Sequence, residues 1–486
     1  MRLFPLLVAT TALAGCTVGP NFTRPAAPST STYLSLAEGQ GQTTGAPAAN
    51  LGNGPALRWW TAFGSPELDA LVERAMANNR SLAASNATLA AARDELRAVT
   101  GRRLPQIDAN ARVDQQQVNL AGFGFAGNNP LASSGNPEFH LYSVGGGISY
   151  DLDLFGGLRR QVEQSAAQAE AQQRQTEAAH LSIAGQVVNQ VLTVAALRAQ
   201  IATANALLGE DLRNVDLTQK RRQGGEGTLV EVLNAQSQYA ADRGDLPQLE
   251  QQLAEARHLL ATLVGVAPSE LGATEFDLAR MTLPMSVPVA LPSELVHRRP
   301  DILQAEADLH AAAAGVGVAT ARLYPDITLG ATLTQGAPGI DNLVKNAFRG
   351  YDIFAGLTAP IFHGGTLKAE RAAAIDRARA SEATYQQTVL NAFGQVADLL
   401  SAIQNDTRSV TVQAESVAVA DRSRQLSRRS FQVGNSGIIQ VLESERLYQR
   451  SSNGLVVART RQFLNVARLY VATAGGWMGS PSTLAN

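Results

Sequence analysis

Gly227-Thr-Leu-Val-Glu-Val-Leu233 and Gly437-Ile-Ile-Gln-Val-Leu442 are two versions of one short segment, and each follows a long stretch rich in Ala and Gln. Upstream of those stretches, Phe155-Gly156-Gly157 is matched by Phe362-His363-Gly364-Gly365. The segments return in the same order at a spacing of about 210 residues, which is typical of two copies of one structural unit. The sequence therefore predicts an internal twofold repeat.

Each copy ends in a pair of long helices. The stretches 158–222 and 366–432 lack proline, and each predicts a helix of roughly 100 Å if it is continuous. Glycine turns at 224–227 and 434–437 lead into returning helices, in which apolar residues recur at every seventh position, the spacing of coiled-coil packing. These positions are Val232, Tyr239, Leu246, Leu253 and Leu260 in the first copy and Val441, Tyr448, Leu455 and Leu469 in the second. Pro247 predicts a kink in the first returning helix.

Composition narrows the class of protein. The chain has 486 residues and a formal net charge of −2, which gives no reason to expect a nucleic-acid partner. Aromatic residues make up only 5% of the chain, and the abundant Ala, Gln and Leu suit long helices. Outside the N-terminus no run of about 18 apolar residues occurs, so we expect no transmembrane helix.

The single cysteine, Cys16, ends an export signal formed by Arg2 and the apolar stretch from Leu3 to Leu13. Leu13-Ala14-Gly15-Cys16 looks like a bacterial lipoprotein cleavage site, although an ordinary signal peptide with an incidental cysteine is the alternative. The lipoprotein interpretation predicts S-diacylglycerol and an N-acyl chain on Cys16. Two or more acyl chains on one protein anchor it stably to a membrane. We expect no other cofactor, since a lone cysteine forms neither a disulfide within the chain nor a cysteine-based metal site.

Each copy also contains two runs in which apolar residues alternate with polar residues or glycine, at 107–114 and 142–152, then 327–333 and 351–361. Taken alone, each run favours a half-buried strand of a soluble sheet. Together with the export signal and lipid anchor, their length of about ten residues favours membrane-spanning strands. The glycine-rich connections at 115–138 and 336–350 would be external loops.

Four strands are too few for a closed barrel, since about eight is the minimum. An open sheet in lipid would leave the polar backbone groups of its edges without partners. The chain is therefore expected to share a barrel with other copies of itself, and two copies would give eight strands whereas three would give twelve.

The predicted organisation has six parts. They are a signal peptide at 1–15, an extended lipid-anchored tether at 16–56, a first repeat at 57–266, a linker at 267–299, a second repeat at 300–476 and a C-terminal tail at 477–486. Each repeat holds a short helix, a strand pair (about 106–154 and 326–362) and a long helical hairpin (158–266 and 366–475). Residues 65–100 are predicted to be helical, because Ser65-Pro66-Glu67 places an N-cap before a proline in the first turn and apolar residues follow at helical spacing.

Several motifs carry a family resemblance. They are Cys16-Thr-Val-Gly-Pro-Asn-Phe-Thr-Arg-Pro25, Trp59-Trp60, Arg298-Arg-Pro-Asp-Ile302, Gly315-Val-Gly-Val-Ala319 and Tyr324-Pro325-Asp326-Ile327. In this combination the chain resembles the outer-membrane efflux proteins of the TolC superfamily, specifically the OprM/NodT lipoprotein branch, over essentially its full mature length.

The resemblance implies a mixed α and transmembrane β fold that works as a homotrimer. Four strands per protomer would build a 12-stranded β-barrel, continuous with a 12-helix periplasmic α-barrel and a mixed equatorial region. A periplasmic adaptor and an inner-membrane pump of the resistance-nodulation-division (RND) type would be the partners. The location would be the cell outer membrane, with the helices extending into the periplasm.

The resemblance also implies a gate around the two glycine turns. Glu443 stands at the usual acidic position, and Arg446 lies one turn further on, where an i, i+3 pair with Glu443 is possible. In a trimer, three copies of Glu443 would form a ring whose field selects cations. The alternative is that these are solvated charges at a helix end.

Other gate candidates lie near the same turns, and some of them depart from the residue types common in the family. Glu231 and Asn234 are the counterparts in the first hairpin. Phe431 stands where a tyrosine is common, while Gln440 and Ser436 stand where some members carry an acid and an arginine. These departures remove groups that could make particular gating bonds.

The sequence contains no convincing enzyme motif. Gly122-Phe-Gly-Phe-Ala-Gly127 matches a dinucleotide-binding pattern literally, but it lies in a Gly/Asn/Pro-rich loop with no helix after it. The six histidines form no metalloprotease pattern, and no phosphate loop or nucleophile arrangement is present. We therefore expect a passive exit duct of a tripartite RND-type efflux pump for drugs or other small toxic compounds. The alternatives are the exit duct of a type I secretion system and a non-channel periplasmic coiled-coil scaffold.

Overall fold

The structure is a computed structural model that describes residues 17–34, 46–52, 56–119, 138–272 and 275–473. The signal peptide, Cys16, the 122–127 glycine pattern and the tail at 477–486 lie outside the described residues. The chain divides into two compact units. One contains the residues up to Arg24 with Ala90–Glu170 and Glu306–Ala383, and the other contains Pro25–Leu89, Ala171–Ala305 and the residues from Thr384 onward.

Helices dominate the described residues. In chain order they are α1 (Pro66–Asn78), α2 (Arg80–Gly101), α3 (Gly157–Gln223), α4 (Leu229–Val264), α5 (Pro292–Leu295), α6 (Pro300–Ala321), α7 (Thr366–Gln432) and α8 (Ile438–Ala472). The predicted long helices are confirmed, since α3 and α7 each have 67 residues, and the returning helices α4 and α8 have 36 and 35. Helix α4 is continuous through Pro247.

The strands are β1 (Ala48–Leu51), β2 (Gln106–Gln117), β3 (Glu138–Asp151), β4 (Ser286–Val289), β5 (Asp326–Ala337) and β6 (Arg349–Thr358). The four predicted long strands form one antiparallel sheet in the order β2-β3-β5-β6. Strands from the two halves of the sequence meet at its centre, where β3 pairs with β5 from Tyr142 opposite Ala337 to Asp151 opposite Thr328.

The apolar residues of the edge strands are exposed. Ile107 on β2 and Tyr351 on β6 keep 78% and 79% of their surface accessible, and Ile353 and Leu357 are similarly open. A soluble antiparallel sheet covers its apolar face with a core. Exposure of this kind is expected where strands face lipid or another copy of the chain.

The main hydrophobic core lies in the second unit. Trp59 and Phe63 come from a short 3₁₀ helix at Trp59–Phe63 and are almost fully buried, and the Trp59 ring stacks on Tyr470 of α8 at 5.4 Å between centroids. Helix α3 contributes Val187, Val188, Val191 and Leu192. By length and composition α3 contains a stretch that could cross a membrane, but 44% of that stretch is buried, and the core helix of a soluble protein passes the same test.

The helical prediction for 65–100 is confirmed over most of its length, but the chain breaks between α1 and α2 at Asn79. This residue has an extended backbone (φ −61°, ψ 125°), and its Oδ1 accepts from the N–H groups of Ser81 and Leu82 at 2.9 and 3.1 Å. Its side-chain amide donates to the carbonyl of Leu263 at 2.7 Å. Asn79 therefore caps the second helix and ties its start to the end of α4.

Regular structure also occurs where the sequence predicts a tether and an irregular linker. Strand β1 lies inside 16–56 and β4 inside 267–299, and the two pair in parallel. Val287 and Val289 of β4 are buried in the core. Burial of these side chains fixes a strand that is only four residues long, too short for a periodic pattern to be recognised.

Candidate functional site

The two glycine turns have the same geometry. Gly225 and Gly434 adopt left-handed conformations, with φ of 77° and 80°. In each turn the next N–H donates to the carbonyl five residues earlier, at 2.8 and 2.9 Å. This is a Schellman-type helix end, in which glycine avoids the strain that a side chain would cause.

In the first hairpin, the carboxylate of Glu231 is used by its own helix. Its Oε2 accepts from the Thr228 backbone N–H at 2.9 Å, while its own N–H donates to the Thr228 hydroxyl at 3.3 Å. These two bonds form a capping box at the start of α4. Asn234, one turn further on, is half-buried. Glu231 thus has a structural task whether or not it contributes to a gate.

In the second hairpin, Glu443 and Gln440 are exposed at the start of α8. The predicted i, i+3 pair is not formed, because the Arg446 guanidinium donates to the side-chain oxygen of Gln238 on α4. Arg446 therefore links the two hairpins instead of restraining Glu443. Ser436 in the turn is half-buried.

Phe431 is buried near the end of α7, where its ring packs against Arg221 of α3. The guanidinium carbon lies 4.6 Å from the ring centroid, and an Arg221 N–H donates to the Phe431 carbonyl at 3.4 Å. A cation–π contact therefore joins the ends of the two long helices where a tyrosine hydroxyl is absent.

An ion-pair network that the sequence interpretation missed lies next to the candidate gate, with its buried acid two residues after Glu443 on α8. Glu445 of α8 is only 2% exposed and accepts from Arg428 of α7 at 2.6 and 2.8 Å. It also accepts from the Asn214 amide of α3 at 2.6 Å, and Arg428 donates to Glu210 of α3 as well. Burial alone would lower the pKa of Arg428, but its bonds to Glu210 and Glu445 raise that pKa overall. The network fastens α3, α7 and α8 together.

A spacing signal could have found Glu445. Val441 and Tyr448 are seam positions of the predicted coiled coil, and Glu445 stands four residues after the first and three before the second. Residues at those separations share a helix face, whereas Glu443 does not share it.

A polar layer joins α7 and α8 further along the hairpin. The Gln462 amide, at the heptad position between Leu455 and Leu469, donates to the Thr407 hydroxyl at 2.8 Å, and the Asn465 amide donates to Asp406 at 2.7 Å. All four side chains are buried, and burial raises the pKa of Asp406 even though the bond from Asn465 lowers it. Such a layer fixes the register of two paired helices.

The segment that follows Cys16 is docked rather than loose. Arg160 of α3, only 4% exposed, donates to the carbonyls of Val18 and Gly19 at 3.3 and 3.4 Å and to Asn21 Oδ1 at 2.7 Å. The Phe22 ring stacks on His310 of α6 at 4.4 Å. The first part of the predicted tether therefore has a fixed place on α3 and α6.

Comparison with known proteins adds independent findings. Residues 71–266 and 291–475 match the family described as outer membrane efflux protein. The chain is 33% identical to the pyoverdine export outer membrane protein OpmQ of Pseudomonas aeruginosa over 428 residues, 88% of this chain and 89% of that protein. It is 27% identical to the cation efflux system protein CusC of Escherichia coli O6:H1 over 477 residues, 98% of this chain and 99% of that one.

Solved structures agree with the sequence relatives. The outer-membrane channel OprN superposes with a TM-score of 0.84 at 27% identity, covering 95% of this chain and 100% of that chain. The open state of the Neisseria gonorrhoeae MtrE outer membrane channel superposes with a TM-score of 0.79, covering 95% and 98%. At 24% identity the MtrE likeness supports the fold alone.

Proposed function

The chain belongs to the outer membrane efflux protein family, and on that premise we propose that it is the exit duct of a tripartite RND-type efflux pump. An inner-membrane pump and a periplasmic adaptor would deliver drugs or other small toxic compounds, which leave the cell passively through this duct. The relatives named for pyoverdine export and cation efflux support the export of small solutes. Type I secretion and a non-channel scaffold have no comparable support.

The main support for the proposal is the four-stranded sheet β2-β3-β5-β6, whose two edges are open. Within the described part of the chain, β2 and β6 each pair with only one neighbour. In lipid, the unpaired N–H and C=O groups along both edges would have no partners. Pairing β6 of one copy with β2 of the next removes both edges at once.

A trimer fits the number of strands and long helices best. With four strands from each chain, a trimer closes a barrel of twelve. The four long helices α3, α4, α7 and α8 would likewise give a tunnel wall of twelve. The number three follows the family resemblance, while the open edges require only that more than one copy takes part. A lipid on Cys16 would hold each copy at the membrane.

The gate belongs at the glycine turns in this proposal. Glu443 is exposed there, so three copies could approach one another around the axis of a trimer. The network of Arg428, Glu445 and Glu210 lies beside it and would hold the helix ends in place. Differential contact with the adaptor would shift the helices between closed and open arrangements.

A disulfide experiment tests the shared sheet. Because Cys16 is the only native cysteine, introduced pairs report cleanly. Val113→Cys on β2 would be combined in turn with cysteine at 351, 353, 355 or 357 on β6, and oxidation should give ladders of linked protomers on denaturing gels. The matched control is Val113→Cys with Tyr142→Cys, which are register partners within one chain. That pair should give no ladder. If every β2–β6 pair also stayed monomeric, the shared barrel would be rejected.

A further inference from the structure

An apolar stripe runs along α7 towards the second glycine turn. Val412, Val419 and Leu426 of α7 and Val433 directly after it recur at every seventh position, and each keeps 60% to 70% of its surface accessible. Residues seven apart lie on one side of a helix, so the four side chains form a continuous stripe about 30 Å long. Such a repeat is typical of a helix that pairs with another helix. The exposure shows that the apolar stripe is not covered within its own chain.

Helix α4 has an exposed face with the same repeat. This α4 face is formed by Leu233, Ala240 and Pro247, which are also seven residues apart and all exposed, whereas Val232 and Ala235 of the same helix are buried. Hydrogen bonds of the described residues join α7 to α3 and α8, and they join α4 to the same two helices. The apolar stripe and the α4 face are thus the sides of α7 and α4 that are left for a neighbouring molecule.

The two glycine turns lie at the same level of the helical hairpins. The guanidinium carbon of Arg221, four residues before Gly225, lies 4.6 Å from the ring centroid of Phe431, three residues before Gly434. Positions along α4 and α7 can therefore be compared by counting residues from the two glycines, at about 1.5 Å per residue. If copies of the chain stand side by side with their turns at the same end, α7 of one copy is antiparallel to α4 of the next.

On this count the apolar stripe and the α4 face are in register. Leu233 and Ala240 come eight and fifteen residues after the first turn glycine. Leu426 and Val419 come eight and fifteen residues before the second. Leu426 of one copy would therefore lie opposite Leu233 of the next, and Val419 would lie opposite the small Ala240. Large side chains opposite small ones allow two helices to interdigitate closely.

Exposed charges beside the apolar stripe match in the same register. Glu415 stands three residues after a stripe position on α7, and Arg408 occupies the equivalent place one heptad earlier. Arg243 stands three residues after Ala240 on α4, and Glu250 follows one heptad later. Glu415 and Arg243 lie 19 and 18 residues from their turn glycines. Arg408 and Glu250 lie 26 and 25 residues from them. In an antiparallel pair, equivalent heptad positions lie side by side, so each acid would meet a base.

We propose that the apolar stripe of α7 packs against the α4 face of a neighbouring copy, with the ion pairs Glu415–Arg243 and Arg408–Glu250 along one side. The contact would cover both exposed faces at once and close the helical wall between protomers. Opposite charges along such a contact select the partner and fix its direction. This contact rests on the assembly of several copies proposed above, and it joins their helices as the shared sheet joins their strands.

Engineered disulfides test the contact in the purified full-length protein in detergent, where no adaptor is present. Val419→Cys combined with Ala240→Cys should give ladders of linked protomers on non-reducing gels, and a reductant should remove them. Val419→Cys with Leu233→Cys should link much less, because one heptad displaces the sulfurs by about 10 Å, beyond the reach of a disulfide. The matched control is Ser416→Cys with Ser451→Cys, whose native hydroxyls lie 2.8 Å apart within one chain. That pair should close inside the protomer and give no ladder.

Charge reversal tests the register without introduced cysteines. Glu415→Arg and Arg243→Glu should each lower the temperature at which the assembled protein separates into protomers on semi-native gels, because each brings like charges together. The double variant restores opposite charges and should recover the wild-type temperature. Asp245→Arg, at an exposed position of α4 outside the α4 face, is the matched control and should leave that temperature unchanged.

The outcomes distinguish the helix contact from the shared sheet. Ladders from the β2–β6 cysteine pairs without a ladder from the pair at 240 and 419 would overturn the helix contact and leave the shared barrel standing. Monomers from both sets would overturn both. A double charge variant that separates as early as the single variants would show that the register is wrong. If another protein covers the apolar stripe instead, the thiol of Val419→Cys should react with a maleimide as fast as that of Asp245→Cys, which would reject a second copy as the partner.

Discussion

Glu443 and Glu445 are two residues apart on α8, yet their side chains face different surroundings. Glu443 is exposed, while Glu445 is buried against Arg428 and Asn214. An acidic residue in the first turns of a helix is usually a solvated charge. Here the same residue type serves as a candidate selectivity group at one position and as a fastening between helices at the other.

Replacing these two acids separately should distinguish their roles. Glu445→Ala leaves Arg428 and the Asn214 amide without their shared acceptor, and we expect a loss of about 2 kcal/mol in the free energy of unfolding. Glu443→Ala should change that free energy by no more than about 0.5 kcal/mol. Denaturant unfolding in detergent measures both. An equal loss in the two variants would mean that the contacts of Glu445 do not stabilise the fold.

At the scale of the element, the long helices and strands were predictable because their patterns are long. A proline-free stretch and a sevenfold repeat accumulate signal over tens of residues. The break at Asn79 depends on a bond to the carbonyl of Leu263, and β1 and β4 depend on pairing between distant short segments. No local window of sequence contains these partners, so they could not be predicted.

The start of α4 offers a prediction at this scale. If Glu231 acts mainly through its capping box, Glu231→Ala should cost about 1 kcal/mol, because the Thr228 backbone N–H loses its side-chain acceptor. Glu231→Gln keeps a side-chain oxygen at the same place and should cost much less. Hydrogen exchange at residues 228–231 would report the fraying directly. Equal protection in both variants and the wild type would contradict a capping role.

At the scale of the whole molecule, the sequence indicated assembly more clearly than it indicated the bonds within one chain. Alternating strands, a lipoprotein-like Cys16 and a strand count too low for closure are all visible in the sequence. Within the network of Arg428, Glu445 and Glu210, the bond between Arg428 and Glu210 joins residues 218 positions apart. Contacts of that kind depend on how helices are aligned, which the heptad pattern constrains only along the seam.

A prediction about the assembled channel concerns Glu443, the exposed acid near the second glycine turn. In a trimer, three copies of Glu443 would concentrate negative potential at one level of the tunnel, an effect that one carboxylate on a solvated helix end does not produce. We therefore expect Glu443→Ala and Glu443→Gln to lower cation-over-anion selectivity in planar bilayers, measured as a shift in reversal potential under a salt gradient. Gln440→Ala, a neutral exposed position three residues earlier, is the matched control and should leave the reversal potential unchanged. Since the effect is electrostatic, it should shrink as ionic strength rises and the screening length falls below about 10 Å. Unchanged selectivity in both Glu443 variants at low salt would place the selecting charges elsewhere in the tunnel, and Glu443 would then be a solvated charge at the start of α8.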